Sequence, residues 1–561
     1  MEKKLKNMPI GISDFKELIE NNYYFADKSL FIKEIINAAA KVLLLPRPRR
    51  FGKTINLSML KYFFEKIQKN NNKNLFKYLE IEKEKEIMQL QGQYPVIFLT
   101  FKDVKELSWE GTIEKIKDLI SIEFSKHDYL LESNLLKDFE KEIFKNIITR
   151  KAEQFNYENS LKNLSKWLTK FYNKKTIILL DEYDSPITAG YINNYYKEII
   201  SFMRSFLSAG LKDNSNLEKA VITGVLRVAR ESVFSGLNNL KVYSILDEKF
   251  SEYFGFLQDE VEEILKYYDL ENKIKEVKKW YDGYNFGNHK IYNPWSILNF
   301  ASDKGKFAIY WVNTSDNQLI RDLITNGDYT LKRDLGDIID NKDNRHVINE
   351  NIIFSDLENI SESTFNLLLF SGYLTISDYS YNEDKKFFWG KLSIPNEEIA
   401  GLYNNIILYW FKKSINMDEY NFMLTNLING NIEEFEEYFS DFVISSFSTF
   451  DIPEKKSENI YHSLVLGMLI SLRKDYIIKS NREGGFGRYD VMLIPKDKNK
   501  LGIIIEFKKT KPNETLDHAV QTALEQIKEK KYDQEFKDLD IKNILHLGIA
   551  FKGKEIKVLK K

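Results

Sequence analysis

The 561-residue chain has no cysteine and only six histidines, and these shortages remove several kinds of site. Without cysteine there can be no disulfide, no thiol nucleophile and no cysteine-ligated zinc or iron–sulfur centre. Six histidines leave little for a centre built from several imidazoles. A catalytic metal ion in this chain would therefore depend on carboxylates.

The sequence also lacks an excess of charge of one sign and a long apolar run. Its 82 lysines and arginines balance 83 acids, so any surface for nucleic acid would have to be a local patch. The basic N-terminus has no apolar signal-peptide core, and no later run approaches the roughly 18 residues of a membrane span. We therefore expect a soluble, cytoplasmic protein without a membrane partner.

Short aliphatic runs alternate with helix-length stretches over the first half of the chain. The runs are KVLLLP, YPVIFLTF, KKTIILLDEYD and KAVITGVLRV, beginning at residues 41, 94, 174 and 219. Such apolar runs are typical of parallel strands buried on both faces of a sheet. They predict an α/β domain over residues 1–253.

Two further domains are predicted after it. Residues 254–414 are helical and aromatic-rich, and the stretch from Ser363 has the order helix, strand, turn, strand, helix of a winged-helix-like module. Residues 415–561 contain two strands joined by a polar turn and then an amphipathic helix. The apolar face of that helix comprises Leu516, Ala519, Val520, Ala523, Leu524 and Ile527.

A strand, an arginine-rich loop and the letters GKT raise the question of a phosphate site. A P-loop normally reads G-x-x-x-x-G-K-[ST], and Arg47 stands where its first glycine belongs. Gly52 would still allow close approach of the backbone, Lys53 would reach the β- and γ-phosphates, and Thr54 would place its hydroxyl on Mg²⁺. An ordinary strand-to-helix turn with a solvated basic cluster is the alternative for this motif alone.

Polar residues at the ends of two further strands favour the nucleotide site. Asp181 and Glu182 follow an aliphatic strand, where one carboxylate would hold Mg²⁺ and the next would polarise the attacking water. Thr223 ends another strand and would sense the γ-phosphate. Arg227 and Arg230 follow it, either to stabilise transition-state charge or as surface ion pairs.

The last predicted domain carries a second candidate site. Asp490 lies near the start of one strand, and Glu506 and Lys508 lie on the next. Because side chains two apart share a face, Glu506 and Lys508 point together and Phe507 points away. Two carboxylates can hold Mg²⁺, or Mn²⁺, at a scissile phosphate while a lysine orients or helps to deprotonate the attacking water. The set predicts phosphodiester hydrolysis, although the bare D…E-x-K pattern is weak.

Helices on either side of this motif add candidates. Glu458 begins an apolar helix with His462 on the same face, and it is either a further metal ligand or an acid favoured by the helix dipole. Gln526 and Tyr532 either contact the substrate backbone or lie at a helix edge in solvent. For Gln521 we favour solvent.

Several motifs together resemble a known family. FADKSLFI, RPRRFGKTINLSML, IILLDEYDSPI, ITGVLRVARESVFSGLNNL, WYDGYNFG, YNPWSIL, SGYLTI and SIPNEE resemble the bacterial AAA-ATPase-like family. SENIYH, GRYDVML, IIIEFKK and ALEQIKEKKY resemble its attached PD-(D/E)XK nuclease domain. In this family the arginine-rich RPRRFGKT is the form that the P-loop takes. WYDGYNFG and YNPWSIL suggest no chemistry, and we interpret them as an aromatic lid packed on the ATPase.

The resemblance implies a P-loop ATPase core of the additional-strand type, a helical lid with a winged-helix-like module, and a restriction-endonuclease-like end. Lys53 and Thr54 would bind phosphate and Mg²⁺, and Asp181 and Glu182 would be the Mg²⁺ ligand and the base. The implied nuclease centre comprises Asp490, Glu506 and Lys508.

The basic loop itself has a physical interpretation. Pro46 and Pro48 would stiffen the turn that glycine normally permits. Arg47, Arg49 or Arg50 would add positive charge near the phosphates.

We expect an ATP- and Mg²⁺-dependent nuclease in which the ATPase gates or positions the nuclease on nucleic acid, with DNA favoured over RNA, in genome defence or DNA processing. The alternative is a nucleotide-driven regulatory switch that binds nucleic acid or a protein partner without cleavage. Mg²⁺ or Mn²⁺ bound between Asp490 and Glu506 would favour the enzyme, whereas a lysine or arginine that neutralises both acids would favour the switch. A homo-oligomer is a further expectation, since many such ATPases complete their site with an arginine from a neighbour.

Overall fold

The computed structural model describes most of the chain in two compact units, Met1–Leu319 with Arg345–Ile399 and Ile320–Asn344 with Ala400–Lys561. The described residues are 5–66, 72–228, 233–234, 237–311, 318–327, 329–339, 345–351, 361–383, 386–403, 417–449, 465, 468–484, 487–511, 514–530, 532–553 and 555–561. Within them, no helix is both long and apolar enough to cross a bilayer.

A wholly parallel sheet forms the centre of the first unit. Its strands are β1 (Val42–Pro46), β2 (Val96–Thr100), β3 (Thr176–Asp181), β4 (Leu217–Gly224) and β5 (Leu240–Val242). They lie in the order β2-β3-β4-β1-β5, so β4 separates the strand before GKT from the strand before Asp181. The four predicted strands are confirmed, and every residue of β1 and β3 is buried, as expected of a sheet covered on both faces.

Helices surround this sheet and follow it in the chain. Local signals begin several of them: the side chains of Asp14, Ser108 and Asn293 each accept a hydrogen bond from a first-turn backbone N–H. The helices are Phe15–Glu20, Phe31–Asn37, Lys53–Phe64, Lys85–Met88, Trp109–Ser125, Asp138–Ile148, Gln154–Glu158, Ser160–Tyr172, Ser185–Ile192, Tyr196–Leu211, Gln258–Tyr267, Ile274–Tyr281 and Pro294–Ser302. Helix Gln318–Asn326 begins in the first unit and ends in the second.

Smaller strands complete the first unit. A hairpin joins β6 (Tyr284–Phe286) to β7 (His289–Ile291), and a three-stranded antiparallel sheet has the order β8-β10-β9. Its strands are β8 (Arg345–Val347), β9 (Thr375–Asn382) and β10 (Phe387–Ser393). Helix Ser361–Phe370 precedes β9, and residues 397–403 are helical after β10, so the predicted order helix, strand, turn, strand, helix is confirmed.

The second unit is built on a mixed sheet in the order β11-β12-β13-β14-β15. Its strands are β11 (Tyr476–Gly484), β12 (Gly487–Pro495), β13 (Gly502–Lys509), β14 (Ile544–Lys552) and β15 (Glu555–Lys560). Neighbours run antiparallel except for the parallel pair β13 and β14. Its helices are Tyr329–Ile339, Met417–Asn429, Ile432–Thr449, Leu516–Glu529 and Gln534–Asp538.

The two faces of this second sheet pack differently. Val491, Ile505 and Phe507 belong to a core shared with helices Met417–Asn429 and Ile432–Thr449. Alternate residues, including Met492 and Ile504, pack on the opposite face with helix Leu516–Glu529. The predicted apolar side of that helix is confirmed, since Ala519, Val520, Ala523, Leu524 and Ile527 are buried.

Candidate functional site

The GKT segment begins helix Lys53–Phe64 directly after the buried strand β1. Gly52 precedes the helix with φ of 84°, a left-handed backbone that glycine adopts without strain. Lys53 is 4% exposed, and its Nζ donates to the carbonyl oxygens of Arg47 at 3.1 Å and Pro48 at 3.0 Å. Burial lowers the pKa of Lys53. The loop therefore holds a lysine against its own carbonyls, in a position to exchange them for an anion.

The arginines of the loop do not share one direction. Arg47 is fully buried, with Nη1 donating to the carbonyls of Pro46 at 2.8 Å and Tyr243 at 2.7 Å and its guanidinium 4.9 Å from the ring centre of Phe254. This corrects the expectation that Arg47 adds charge near the phosphates, because its side chain braces the loop from the interior.

Arg49 and Arg50 do reach the open side of the loop. Both line a cavity of about 440 Å³ together with Gly52, Lys53 and Thr54. The Arg50 guanidinium lies 4.1 Å from the ring centre of Trp295, a cation–π distance, and Trp295 also lines the cavity. The other lining residues include Ile12, Leu18, Tyr24, Phe25, Tyr253, Phe256, Pro294 and Leu298. A cavity that is lined by both basic and apolar side chains suits a nucleotide.

Asp181 accepts hydrogen bonds from three threonines, of which Thr100 is the most distant at 3.4 Å. Its Oδ2 accepts from the Thr54 hydroxyl at 2.8 Å, and its Oδ1 accepts from the Thr223 hydroxyl at 2.6 Å. Burial raises its pKa, which these hydrogen bonds oppose. A hydroxyl and a carboxylate that converge in this way form a donor set suited to Mg²⁺. The hydroxyl of Thr223, which was predicted to sense the γ-phosphate, donates to Asp181.

Glu182 is the next residue and lines the cavity with φ of 50°. Burial alone would raise its pKa, but the charges of Lys53 and Arg49 outweigh this effect. The pKa of Glu182 is therefore below its ordinary value, and the group is held as a carboxylate. An ionised carboxylate at this position is the form that could accept a proton from water.

Arg227 does not line this cavity in the described part of the chain. Its Nη1 lies 3.9 Å from Oε2 of Glu350, the ion pair that was the alternative interpretation. Arg230 lies outside the described residues.

Asp184 is a third acid of DEYD that the sequence analysis did not single out. It is 3% exposed, and its Oδ2 accepts from the backbone N–H groups of Val225 at 2.9 Å and Leu226 at 2.8 Å. Gly224 permits this contact, since a Cβ there would lie 2.5 Å from Asp184 Oδ1. The carboxylate thus ties the end of β3 to the segment that follows β4.

The aromatic motifs pack on the loop, which confirms the predicted aromatic lid. Phe51 lies 5.0 Å from Tyr284 and 5.2 Å from Phe286, measured between ring centres. Trp311 Nε1 donates to the carbonyl of Arg49 at 3.1 Å.

Glu398 of SIPNEE is the second residue whose role the sequence did not suggest. It is fully buried; its Oε2 accepts from the Ser296 hydroxyl and its Oε1 from the backbone N–H groups of Tyr310 and Trp311, all at 2.6 Å. Burial raises its pKa to about 7. One carboxylate therefore fastens YNPWSIL to the segment that carries Trp311.

The second candidate site lies on the face of β12 and β13 that meets helix Leu516–Glu529. Val491 pairs with Ile505, which places Asp490 next to Glu506 across the strands. Asp490 Oδ2 accepts from the Phe507 backbone N–H at 2.7 Å, and Lys508 Nζ lies 3.4 Å from Glu506 Oε1. The predicted shared face of Glu506 and Lys508, with Phe507 opposite, is confirmed.

Glu506 fits a divalent cation. It is 1% exposed, and its Oε2 has no hydrogen-bond partner among the described residues. Burial and then the charge of Asp490 raise its pKa to about 8, although the charge of Lys508 acts in the opposite direction. No group of three or more acids and histidines arranged to hold a metal ion occurs in the described ranges. Glu458, the candidate further ligand, lies outside them.

Tyr532 and Gln526 also lie at this site. Gln526 Nε2 donates to the Tyr532 hydroxyl at 3.3 Å, and Tyr532 is 1% exposed. Burial raises the pKa of Tyr532, whose ring packs with Met492 and Ile504 on the face of the sheet that carries the acids. Gln521 is exposed, as expected.

Comparison with known proteins gives two family matches. Residues 9–234 match the family described as predicted AAA-ATPase, and residues 456–561 match the PD-(D/E)XK nuclease superfamily. An uncharacterised protein in the vnfD 5′ region of Azotobacter chroococcum mcd 1 is 26% identical over 410 residues, which is 72% of this chain and 70% of that protein. The parallel five-stranded sheet agrees with the first match and the mixed sheet with the second. Both matches indicate enzymatic activity.

Proposed function

For a chain that carries a predicted AAA-ATPase domain followed by a PD-(D/E)XK nuclease superfamily domain, we propose an ATP-hydrolysing protein coupled to a divalent-metal-dependent nuclease. Its substrate is nucleic acid, DNA rather than RNA, and its role is genome defence or DNA processing. The observation that carries the nuclease proposal is the convergence of Asp490, Glu506 and Lys508 on one face, with a buried Glu506 oxygen left without a partner among the described residues.

In the proposed nuclease centre, Asp490 and Glu506 would hold Mg²⁺ or Mn²⁺. The ion supplies charge stabilisation at the scissile phosphate when it is bound. Lys508 then orients the attacking water, and the Asp490 carboxylate remains fixed by the Phe507 N–H. Lys508 contacts Glu506, and Asp490 accepts from the backbone of the neighbouring strand.

In the proposed ATPase site, Lys53 and the loop N–H groups bind the phosphates, with Arg49 and Arg50 at the same cavity. The hydroxyl and carboxylate that form one hydrogen-bonded pair, Thr54 and Asp181, would hold Mg²⁺. Glu182 takes a proton from the attacking water as that water bonds to the γ-phosphorus and ADP departs.

A nuclease assay tests the proposal. The purified full chain is given single- and double-stranded DNA and RNA with Mg²⁺ or Mn²⁺, with and without ATP. We expect cleavage that falls at least about 100-fold in Asp490→Ala and Glu506→Ala, since each removes a metal ligand. Glu555→Ala, an exposed acid at the start of β15, is the matched control and should cleave normally.

Two results contradict the nuclease. One is binding of nucleic acid without cleavage under every condition, which establishes the switch instead. The other is cleavage that Asp490→Ala and Glu506→Ala leave unchanged, which points to a contaminating enzyme.

A further inference from the structure

The phosphate end of the cavity crowds positive charge. Arg49, Arg50 and Lys53 line it together, and the side chain of Lys53 is buried. Among the described residues that line the cavity, Glu182 is the one carboxylate. Close like charges are unfavourable unless an anion lies among them, so the cavity suits a polyanion.

Two further cations enter from a segment that no motif marked. Lys102 and Lys105 follow strand β2 and line the same cavity. Their segment is anchored on both sides, because Phe101 and Val104 are buried and the Phe101 N–H donates to the carbonyl of Asp181 at 2.9 Å. The segment is therefore fixed next to the strand end that positions Glu182.

The far end of this segment is also held. The Tyr195 hydroxyl donates to the carbonyl of Glu106 at 2.7 Å and accepts from the Thr112 hydroxyl at 3.0 Å. Lys105 thus lies between two anchored points of the backbone, while its side chain is exposed. A cation that is positioned by its backbone and still solvated is available to a ligand at little cost in desolvation.

Lys105 lines the same cavity as Glu182 and Lys53. No salt bridge to Lys105 occurs in the part of the chain that the structure describes. The cavity is therefore lined by Lys105 from the segment after β2 and by Lys53 from the start of the GKT helix.

We propose that Lys105 contacts the terminal phosphate of bound ATP. This inference rests on the proposed ATPase function and goes beyond it. ADP lacks the terminal phosphate, so Lys105 distinguishes ATP from ADP. The chain then supplies this cation itself, and hydrolysis needs no arginine from a neighbouring subunit.

Nucleotide affinity tests the inference directly. The full chain and its Lys105→Ala variant are titrated with ADP and with a non-hydrolysable ATP analogue, both with Mg²⁺. We expect the variant to bind ADP within about twofold of wild type and to lose about tenfold of the preference for the analogue, the effect of one charge-assisted contact. Lys105→Arg should restore most of the preference, and wild-type turnover per chain should stay constant as the protein is diluted.

Control variants separate this inference from the function beneath it. Lys115→Ala removes an exposed lysine from the helix that follows the segment and should bind both nucleotides normally. An unchanged preference in Lys105→Ala overturns the inference, as does a loss found in Lys102→Ala instead. A wild-type chain that binds no nucleotide overturns the proposed ATPase function itself. Turnover that falls with dilution shows that a neighbouring chain completes the site.

Discussion

Arg47 stands where a P-loop normally has its first glycine, and its side chain points into the interior of the protein. The Arg47 guanidinium donates to the carbonyls of Pro46 and Tyr243 and lies over the ring of Phe254. Burial lowers its pKa to about 9, which still leaves it charged at neutral pH. The glycine that the loop does require is Gly52, where φ is 84°.

Lys53→Ala should abolish ATP binding. Its ammonium group is a buried cation that lines the cavity, and removal leaves the carbonyls of Arg47 and Pro48 without their donor as well as the phosphates without their contact. We expect at least about a 100-fold loss of affinity, measured by calorimetric titration with ATP and Mg²⁺.

The control for this change is Lys41→Ala, at the opposite end of β1, where the lysine is exposed. It should bind ATP like wild type. Retained binding in Lys53→Ala would mean that GKT is only a strand-to-helix turn.

The sequence predicted those residues whose geometry is local. Gly52, Lys53 and Thr54 follow one strand directly, so their spacing alone placed them at the cavity. Arg47 could not be placed in this way, because its acceptor on Tyr243 lies 196 residues away in the chain. Asp184 could not be interpreted either, since it binds N–H groups 41 and 42 residues later.

At the scale of elements, Glu398 connects its own segment to two earlier parts of the chain. It accepts from Ser296 at the start of helix Pro294–Ser302 and from the backbone at Tyr310 and Trp311. Trp311 in turn donates to the loop at Arg49. The strands could be predicted from their aliphatic runs, but this fastening could not, because a buried glutamate gives no signal in a helix-like stretch.

The buried carboxyl of Glu398 makes stability depend on pH. Its pKa is about 7 in the folded chain and near 4.5 ordinarily, so between these values the unfolded chain releases a proton that the folded chain keeps. The contribution of this carboxyl to the free energy of unfolding is therefore fully present below about pH 4.5, and it falls by about 3 kcal/mol as the pH rises through 7. Glu398→Gln can keep these hydrogen bonds without titrating, so its stability relative to wild type should rise from pH 5 to pH 7.5, as measured by urea unfolding.

Glu397→Gln is the matched control, because the carboxylate of Glu397 is exposed and pairs with Lys279 on the surface. Its stability relative to wild type should not change with pH. If Glu398→Gln behaves in the same way, the carboxyl of Glu398 does not keep its proton in the folded chain.

At the scale of the whole molecule, each candidate site lies within one of the two compact units. Lys53, Asp181 and Glu182 belong to the first unit, and Asp490 and Glu506 to the second. The three-domain division at residues 253/254 and 414/415 and the winged-helix identity of the middle region remain predictions. Sequence periodicity identifies strands and helices, but it does not specify which long-range packing joins them into units.

Because the two sites are separate, we expect DNA cleavage to depend on the ATPase site but ATP turnover not to depend on the nuclease site. Glu506→Ala should leave ATP turnover within about twofold of wild type, since Glu506 and the GKT loop belong to different compact units. Lys53→Ala should reduce cleavage in the presence of ATP to the rate measured without ATP, if the ATPase gates the nuclease. Rates of ADP release and of substrate cleavage, measured on the same preparations, check both expectations.

An equimolar mixture of Lys53→Ala and Glu506→Ala chains then locates the coupling. When each ATPase acts on the nuclease of its own chain, the mixture contains no chain with both sites intact, and ATP should not stimulate cleavage. Stimulation in the mixture would show that the ATPase of one chain acts on the nuclease of another, which requires an oligomer. ATP-stimulated cleavage by Lys53→Ala alone would refute gating, because that variant lacks the cation on which ATP binding depends.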